Sequence, residues 1–469
     1  MIAILDNTTD SDALAGDIHS FLLANREGYN ATSWSARRIE DSKYVIKIPT
    51  DARGLENDFD FSKYVVKYQT QDFEVEVKTP LITGKSVGDG KSYILAVQDN
   101  WMLGMYRNED FIYLSDDNGD TWDYSIAMTD AMTIRMAWVF ADGSILIATN
   151  TNKVYSSQDQ LTSLNEITVE GIDGNDLVFH TPVNSEFPGS YFGMLIPASY
   201  IIDGVEVLLW GTYWTVQDAK GPAPVKMYYT VDNGVTVKVC YEFGPITREM
   251  DDGTSYGGPT GNPLGDPLNP IYCHHVHYVS YNTGDSTFYV QLGDYDDEVG
   301  FLKGTYDFDL DTWSFTHYNM SAKSDFFRAA GLLFDGDVAT WVNDNIADGI
   351  YTCSVANLTS TDLSDHTSIF ENVIDMSIND LNRRDLIGLL KQGNVLITAR
   401  YYSEPAIIIS IDNGANWIEL PDITFFGAWP WKWYTVRRLL GITSDGYFIL
   451  QQSPLQGLNP TSTFYIKIT

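Results

Sequence analysis

His275 and His277 are the residues of this chain best suited by type and spacing to do chemistry. Two imidazoles at i and i+2 project to one face of a strand, where Asp294 and Asp344 could meet them from neighbouring strands. Such a set could hold a divalent metal, or, with Arg328, position a sugar that bears a carboxylate. The same residues could instead form a buried polar network in which each imidazole is fixed by a carboxylate and neighbouring elements are pinned together. Asp296, Asp297 and Glu298 follow at once, but their spacing lacks the alternating ligands and loop glycine of an EF-hand.

A second candidate is aromatic. Gly427 to Tyr434 contains Trp429, Trp431 and Trp433, a platform for stacking sugar rings if exposed and packing between elements if not. Composition narrows the partners. The chain has 63 acidic and 29 basic residues and a formal charge of −34, which disfavours a nucleic-acid backbone or an anionic membrane surface as ligand. Cys240, Cys273 and Cys353 are too few and too far apart for a disulfide framework or a zinc ligand set. No apolar run reaches the length of a membrane span, and Met1 to Asp10 has no basic, apolar secretory leader. The expected location is therefore a virion if the source is viral and the cytoplasm otherwise.

The elements that must position these residues are announced by a repeated hairpin. Ser115-x-Asp117-x-Gly119-x-Thr121-Trp122 recurs as Thr230-x-Asp232-x-Gly234-x-Thr236, with Val237 in the Trp position, and as Ser410-x-Asp412-x-Gly414-x-Asn416-Trp417. Short hydroxyl and carboxylate side chains bond nearby backbone in a tight turn, Gly supplies positive φ, and Trp packs the outgoing strand. These copies resemble the Asp-box (BNR) repeat of the sialidase superfamily, which implies an all-β propeller in which the boxes are structural. The stretch from about residue 200 to 360 resembles, in order, an uncharacterised subgroup of that superfamily with a His-x-His strand and a following Gly-Asp strand end. The resemblance assigns His275, His277, Asp294, Arg328 and Asp344 to one site at the pore.

Tight turns mark the repeat unit: Asp89-Gly90, Asp142-Gly143, Asp203-Gly204, Thr283-Gly284, Asp335-Gly336, Gln392-Gly393 and Asp445-Gly446, each between β-rich runs. Six box or box-remnant positions follow, starting at Ser115, Ser156, Thr230, Thr305, Thr352 and Ser410, and Phe464 to Lys467 is the last strand. This predicts seven blades over residues 76–469, with Phe73 to Lys78 supplying the strand that closes the ring; six blades are the alternative if one turn belongs to an insertion. Asp251 to Pro270, rich in Gly and Pro, is expected to be a long loop.

Residues 1–75 read as a small α/β attachment or cap module. Strands are expected at Ile2 to Leu5, Lys43 to Ile48 and Lys63 to Tyr68, and a helix starting at Ser11 would carry Leu14, Ile18, Phe21 and Leu22 on one face. The alternative is that part of this module serves as the propeller's closing strand. The sialidase catalytic set is incomplete: Lys47-Ile48-Pro49 stands where an Arg-Ile-Pro is expected, and Thr212 where an acidic residue is expected. The expected function is recognition without catalysis, as a tail or fibre component of a tailed virus that attaches to other virion proteins through residues 1–75 and presents a surface to a glycan or protein receptor. The alternative is a sialidase-type glycoside hydrolase using Arg328, Asp344 and Asp294.

Overall fold

The computed structural model describes residues 3–6, 35–40, 43–47, 66–69, 73–78, 92–106, 110–128, 134–149, 153–177, 198–212, 224–245, 264–273, 275–293, 298–321, 327–343, 349–360, 367–368, 386–400, 407–420, 434–454 and 462–469. The predicted helix after Ser11 lies outside them, as do residues 251–263 of the loop expected from Asp251 to Pro270; residues 264–270 form no strand. The fold is all-β, a seven-bladed propeller. Blade 1 comprises Ser92–Gln98, Trp101–Tyr106, Phe111–Ser115 and Tyr124–Ala127. Blades 2 to 6 begin at Ile134, Ala198, Val276, Ala329 and Leu386, each a consecutive antiparallel four-stranded meander, to which Val169–Glu170 adds a fifth, parallel strand in blade 3. In blade 7, Tyr434–Ile442, Phe448–Pro454 and Ser462–Ile468 are joined by Glu74–Lys78, which pairs with the last strand from Lys78↔Tyr465 to Val75↔Ile468.

Glu74–Lys78 also pairs on its other edge with Val66–Gln69. The sheet then continues outward through Ala3–Asp6, Lys43–Lys47 and Ser35–Glu40, so one eight-stranded sheet runs from the pore into the N-terminal residues. The strand joining the two units spans their expected junction.

Six of the turns join the first two strands of their blades. The exception is blade 1, whose first hairpin turns at Asp99-Asn100, between Gln98 and its partner Trp101; Asp89-Gly90 lies outside the described residues. Each meander places its first and third hairpins on one face of the ring and its second hairpin and inter-blade connections on the other.

The third hairpins of blades 1, 3 and 6 carry the repeated motif with one geometry. In blade 1, Ser115 Oγ donates to Asp117 Oδ1 at 2.8 Å and accepts from the Gly119 N–H at 2.8 Å, while the Thr121 N–H and Oγ1 donate to Asp117, each at 2.8 Å. Trp122 Nε1 returns to the Gly119 carbonyl at 3.1 Å. Thr230, Asp232, Gly234 and Thr236 repeat the pattern, as do Ser410, Asp412, Gly414, Asn416 and Trp417. Blade 2 uses the same bonds one residue later than expected, starting at Ser157: Asp159 is its carboxylate, and Leu161, at φ 62°, occupies the Gly position. Thr305 and Thr352 lie within strands, so neither starts a hairpin; those turns follow Asp307 and Ser354.

A residue absent from the expected motif connects the blades. Asn118, Asn233 and Asn413 sit between the Asp and the Gly at φ 61°, 56° and 61°. Left-handed backbone aims each side chain at the first hairpin of the preceding blade: Asn233 Nδ2 donates to Asp142 at 2.7 Å, Asn413 Nδ2 to Asp335 at 2.8 Å, and Asn118 Oδ1 accepts from Ser444 Oγ at 3.0 Å. Blade 4 substitutes another clasp, in which Asp311 accepts from Tyr229 at 2.8 Å and Lys238 at 2.7 Å of blade 3. Buried Glu206 of blade 3 adds a hub, accepting from Gln98 at 2.9 Å, Trp138 at 3.4 Å, the Ala141 N–H at 2.9 Å and Ser199 at 2.5 Å.

Three expectations follow. Asn233→Gly, which keeps the backbone and loses only the clasp, should cost about 1 kcal/mol, and Asn233→Ala more, because Ala also resists the left-handed conformation; equal denaturant midpoints for the two variants would remove the conformational part of this account. Trp122 packs with Ile94, Met102 and Tyr465 across the junction of blades 1 and 7, so Trp122→Ala should cost about 3 to 5 kcal/mol and Val237→Ala less, as read from chemical melts.

The third concerns acid. The Ser163 N–H and then its hydroxyl hold the Asp159 carboxyl below the usual range. At Asp117 and Asp412 burial pushes upward, and hydrogen bonds from Thr121 and Ser115, or from Asn416 and Ser410, outweigh it. A lowered folded pKa gives stability that is complete above the ordinary carboxylate pKa and is lost as pH falls through the folded values. Melting temperature should therefore fall below about pH 4, and by less in Asp412→Asn; an acid profile identical in that variant would count against the Asp412 contribution.

Candidate functional site

The first strand of blade 4, Val276–Asn282, is the strand around which the candidate residues collect. Its pairing with Thr287–Leu292 slips between Val276 and Tyr278, so His277 is the extra residue of a bulge. The expected common face holds: the rings of His275 and His277 stack with centroids 4.7 Å apart and 28° between planes. Both are almost wholly buried, at 1% and 3% exposed.

His277 Nδ1 lies 3.1 Å from the Ala329 carbonyl of blade 5. A carbonyl only accepts, so Nδ1 is the donor in this contact. Three residues on, Ser280 Oγ donates to the Leu332 carbonyl at 2.6 Å. These two side chains stitch the inner strands of blades 4 and 5 together. Arg328 immediately precedes Ala329, and buried Asn343 ends the second strand of blade 5, its N–H donating to Gly349 at 3.2 Å.

Asp294, Asp344, Trp429, Trp431 and Trp433 lie outside the described residues. The strand ends beside them do not. Gly293, Asn343 and Tyr434 adjoin second-strand ends or a first-strand start, as His275 and Arg328 do, and in an antiparallel meander all of these fall on the face opposite the Asp-Asn-Gly hairpins. Among the described residues no group of three or more His, Cys, Asp or Glu is arranged to hold a metal.

Thr212 has an identifiable role. Its Oγ1 accepts from the Lys226 N–H at 3.1 Å and lies 3.3 Å from the Lys226 carbonyl, closing the second hairpin of blade 3, and its own carbonyl accepts from Val276 at 3.0 Å. Thr149 does the same to Lys153 in blade 2, at 3.2 Å both ways. Lys226, which sequence reasoning passed over, is buried at this same face and pairs with Glu242. The only signal for it was a lysine opening the otherwise uncharged strand Lys226–Thr230.

No family model matches the chain, and no curated protein matches it. Among solved structures, YCF48 bound to D1 peptide is 11% identical, with a TM-score of 0.43 over 84% of this chain and 95% of its own. YCF48 from Cyanidioschyzon merolae is 12% identical, with 0.41 over 80% and 99%. The Dos1 propeller is 8% identical, with 0.40 over 86% and 88%. Residue roles do not transfer at these similarities.

His277→Ala should lower stability by about 1 to 3 kcal/mol, since it leaves the Ala329 carbonyl without that donor and opens space between blades 4 and 5. Chemical denaturation measures the change, and an unaltered midpoint would show that the stitch contributes nothing.

Proposed function

We propose that this protein is a non-enzymatic recognition propeller, which presents the face bearing His275, Arg328 and the segment of Trp429 to Trp433 to a surface glycan or protein receptor. The observation that carries this reading is the division of labour between the two faces. Apart from the connection 355–366 of blade 5, one face carries short turns, and its Asp-Asn-Gly hairpins lock blades together. The strand ends of the other face receive the long connections 178–197, 213–223, 246–263, 369–385 and 421–433, and long segments carried by a rigid ring are where binding residues concentrate.

The hairpin hydrogen bonds support assigning the motif to the Asp-box type and the protein to that group of propellers. Residues 1–75 are proposed to dock the ring onto other structural proteins, as a tail or fibre component of a virion would require. The eight-stranded sheet that unites them with blade 7 favours rigid presentation over a flexible tether. Under this reading Arg328 supplies the cation for an anionic or polyhydroxylated ligand, and the tryptophans supply stacking.

A glycan array, a panel of candidate receptor ectodomains and a set of fluorogenic sialosides test the proposal together. Binding without turnover, weakened at least tenfold by Arg328→Ala or Trp431→Ala at unchanged melting temperature, is the expected result. Sugar release abolished by Asp344→Asn would overturn it in favour of a glycoside hydrolase.

A further inference from the structure

Among the described residues, the outer strands of six blades are covered or too short to template another strand, and that of the seventh is neither. The outer strand of blade 3 is capped by Val169–Glu170, which pairs with it in parallel, and that of blade 7 by Val66–Gln69. Blades 1, 2, 5 and 6 end in Tyr124–Ala127, Asn165–Ile167, Thr367–Ser368 and Ile418–Leu420, strands of 4, 3, 2 and 3 residues. Blade 4 ends in Thr312–Asn319, 8 residues paired without a bulge to Gly300–Asp307. Among the described residues no strand pairs with its outer edge.

Soluble proteins protect such an edge with Lys, Pro, a bulge or an inward charge. This one, Thr-Trp-Ser-Phe-Thr-His-Tyr-Asn, has none of them and is dominated by strand-forming residues. Thr312, Ser314, Thr316 and Asn319 are exposed. On the other face Trp313 and Phe315 stack and lean on Tyr229 and Tyr241 of blade 3. Burial lowers the pKa of His317, so the strand is uncharged at neutral pH.

We propose that this edge binds a second copy of the chain, with two Thr312–Asn319 strands pairing antiparallel about Phe315. Residues directly opposite in an antiparallel pair share a face, so this register sets Phe315 against itself, Trp313 against His317 and Ser314 against Thr316. These are aromatic and hydroxyl pairs of the kind that stabilise sheets, with no like charges opposed. A copy of itself is therefore the occupant the strand fits. Between two chains of formal charge −34, a strand edge without charged side chains adds no like-charge contact of its own. A contact confined to one strand edge is small, so the dimer should be weak and concentration-dependent.

Sedimentation velocity of the full chain over a concentration series should show monomer passing to dimer. Ser314→Lys with Thr316→Lys places lysines opposite each other and should leave monomer at every concentration, with an unchanged melting temperature. Hydrogen exchange of the wild-type chain gives a readout free of variants, with amides of 312–319 slowing several-fold as concentration rises. A wild-type chain that stays monomeric, including one that instead captures a foreign extended peptide on this strand, overturns the proposal. So does a dimer whose formation leaves exchange over 312–319 unchanged.

Discussion

The ring depends on an asparagine held in a backbone conformation that few residues tolerate. In three hairpins a hydroxyl and a carboxylate take up the turn's N–H groups, and the chain can then pass through two successive positive-φ residues, Asn and Gly. The Asn side chain, set in that direction, reaches the neighbouring blade. Local satisfaction and long-range registration thus have one cause. The aromatic residue that closes the hairpin returns its N–H to the Gly carbonyl in blades 1 and 6, fixing the strand that leaves.

Other junctions are made with other chemistry. Asp311 gathers a lysine and two phenols, Tyr229 and Tyr306, and raises the pKa of both phenols in addition to the effect of burial. Glu206 draws donors from three blades into one buried carboxylate, which is tolerable in a low-dielectric setting because each oxygen is hydrogen-bonded. The His277 imidazole does the equivalent work between blades 4 and 5. His277 is thus an inter-blade stitch on the first strand of blade 4, beside the face that receives the long connections.

What was legible in the sequence was local. Motifs containing Ser115, Thr230 and Ser410 were readable because the hydroxyl, carboxylate, Gly and Trp bonds that define them lie within seven residues. Asn118, Asn233 and Asn413 were not singled out, since their partners belong to another blade, although the identical Asp-Asn-Gly in all three copies was a visible signal. Ser157 was misplaced by one residue because Leu161 replaces the anchoring Gly, and Asp89-Gly90 outcompeted Asp99-Asn100 because only the former looks like a two-residue turn. The common face of His275 and His277 followed from strand periodicity. The bulge at His277 and its bond to a backbone carbonyl could not, because carbonyl partners leave no trace in residue type.

The closing strand, Glu74–Lys78, also sets a problem of timing. It is synthesised well before its partner, Ser462–Ile468, which lies several hundred residues further along the chain; at about 5–20 residues per second the wait is on the order of tens of seconds. Until that partner arrives, the edge that Ser462–Ile468 takes in the folded ring is exposed to other strands. Its alternation of Glu74, Glu76 and Lys78 with Val75 and Val77 is the composition that discourages a waiting edge from pairing with the wrong strand. Glu76 later accepts the hydroxyl of Tyr447, so a charge that guards the nascent chain ends as part of the finished seam.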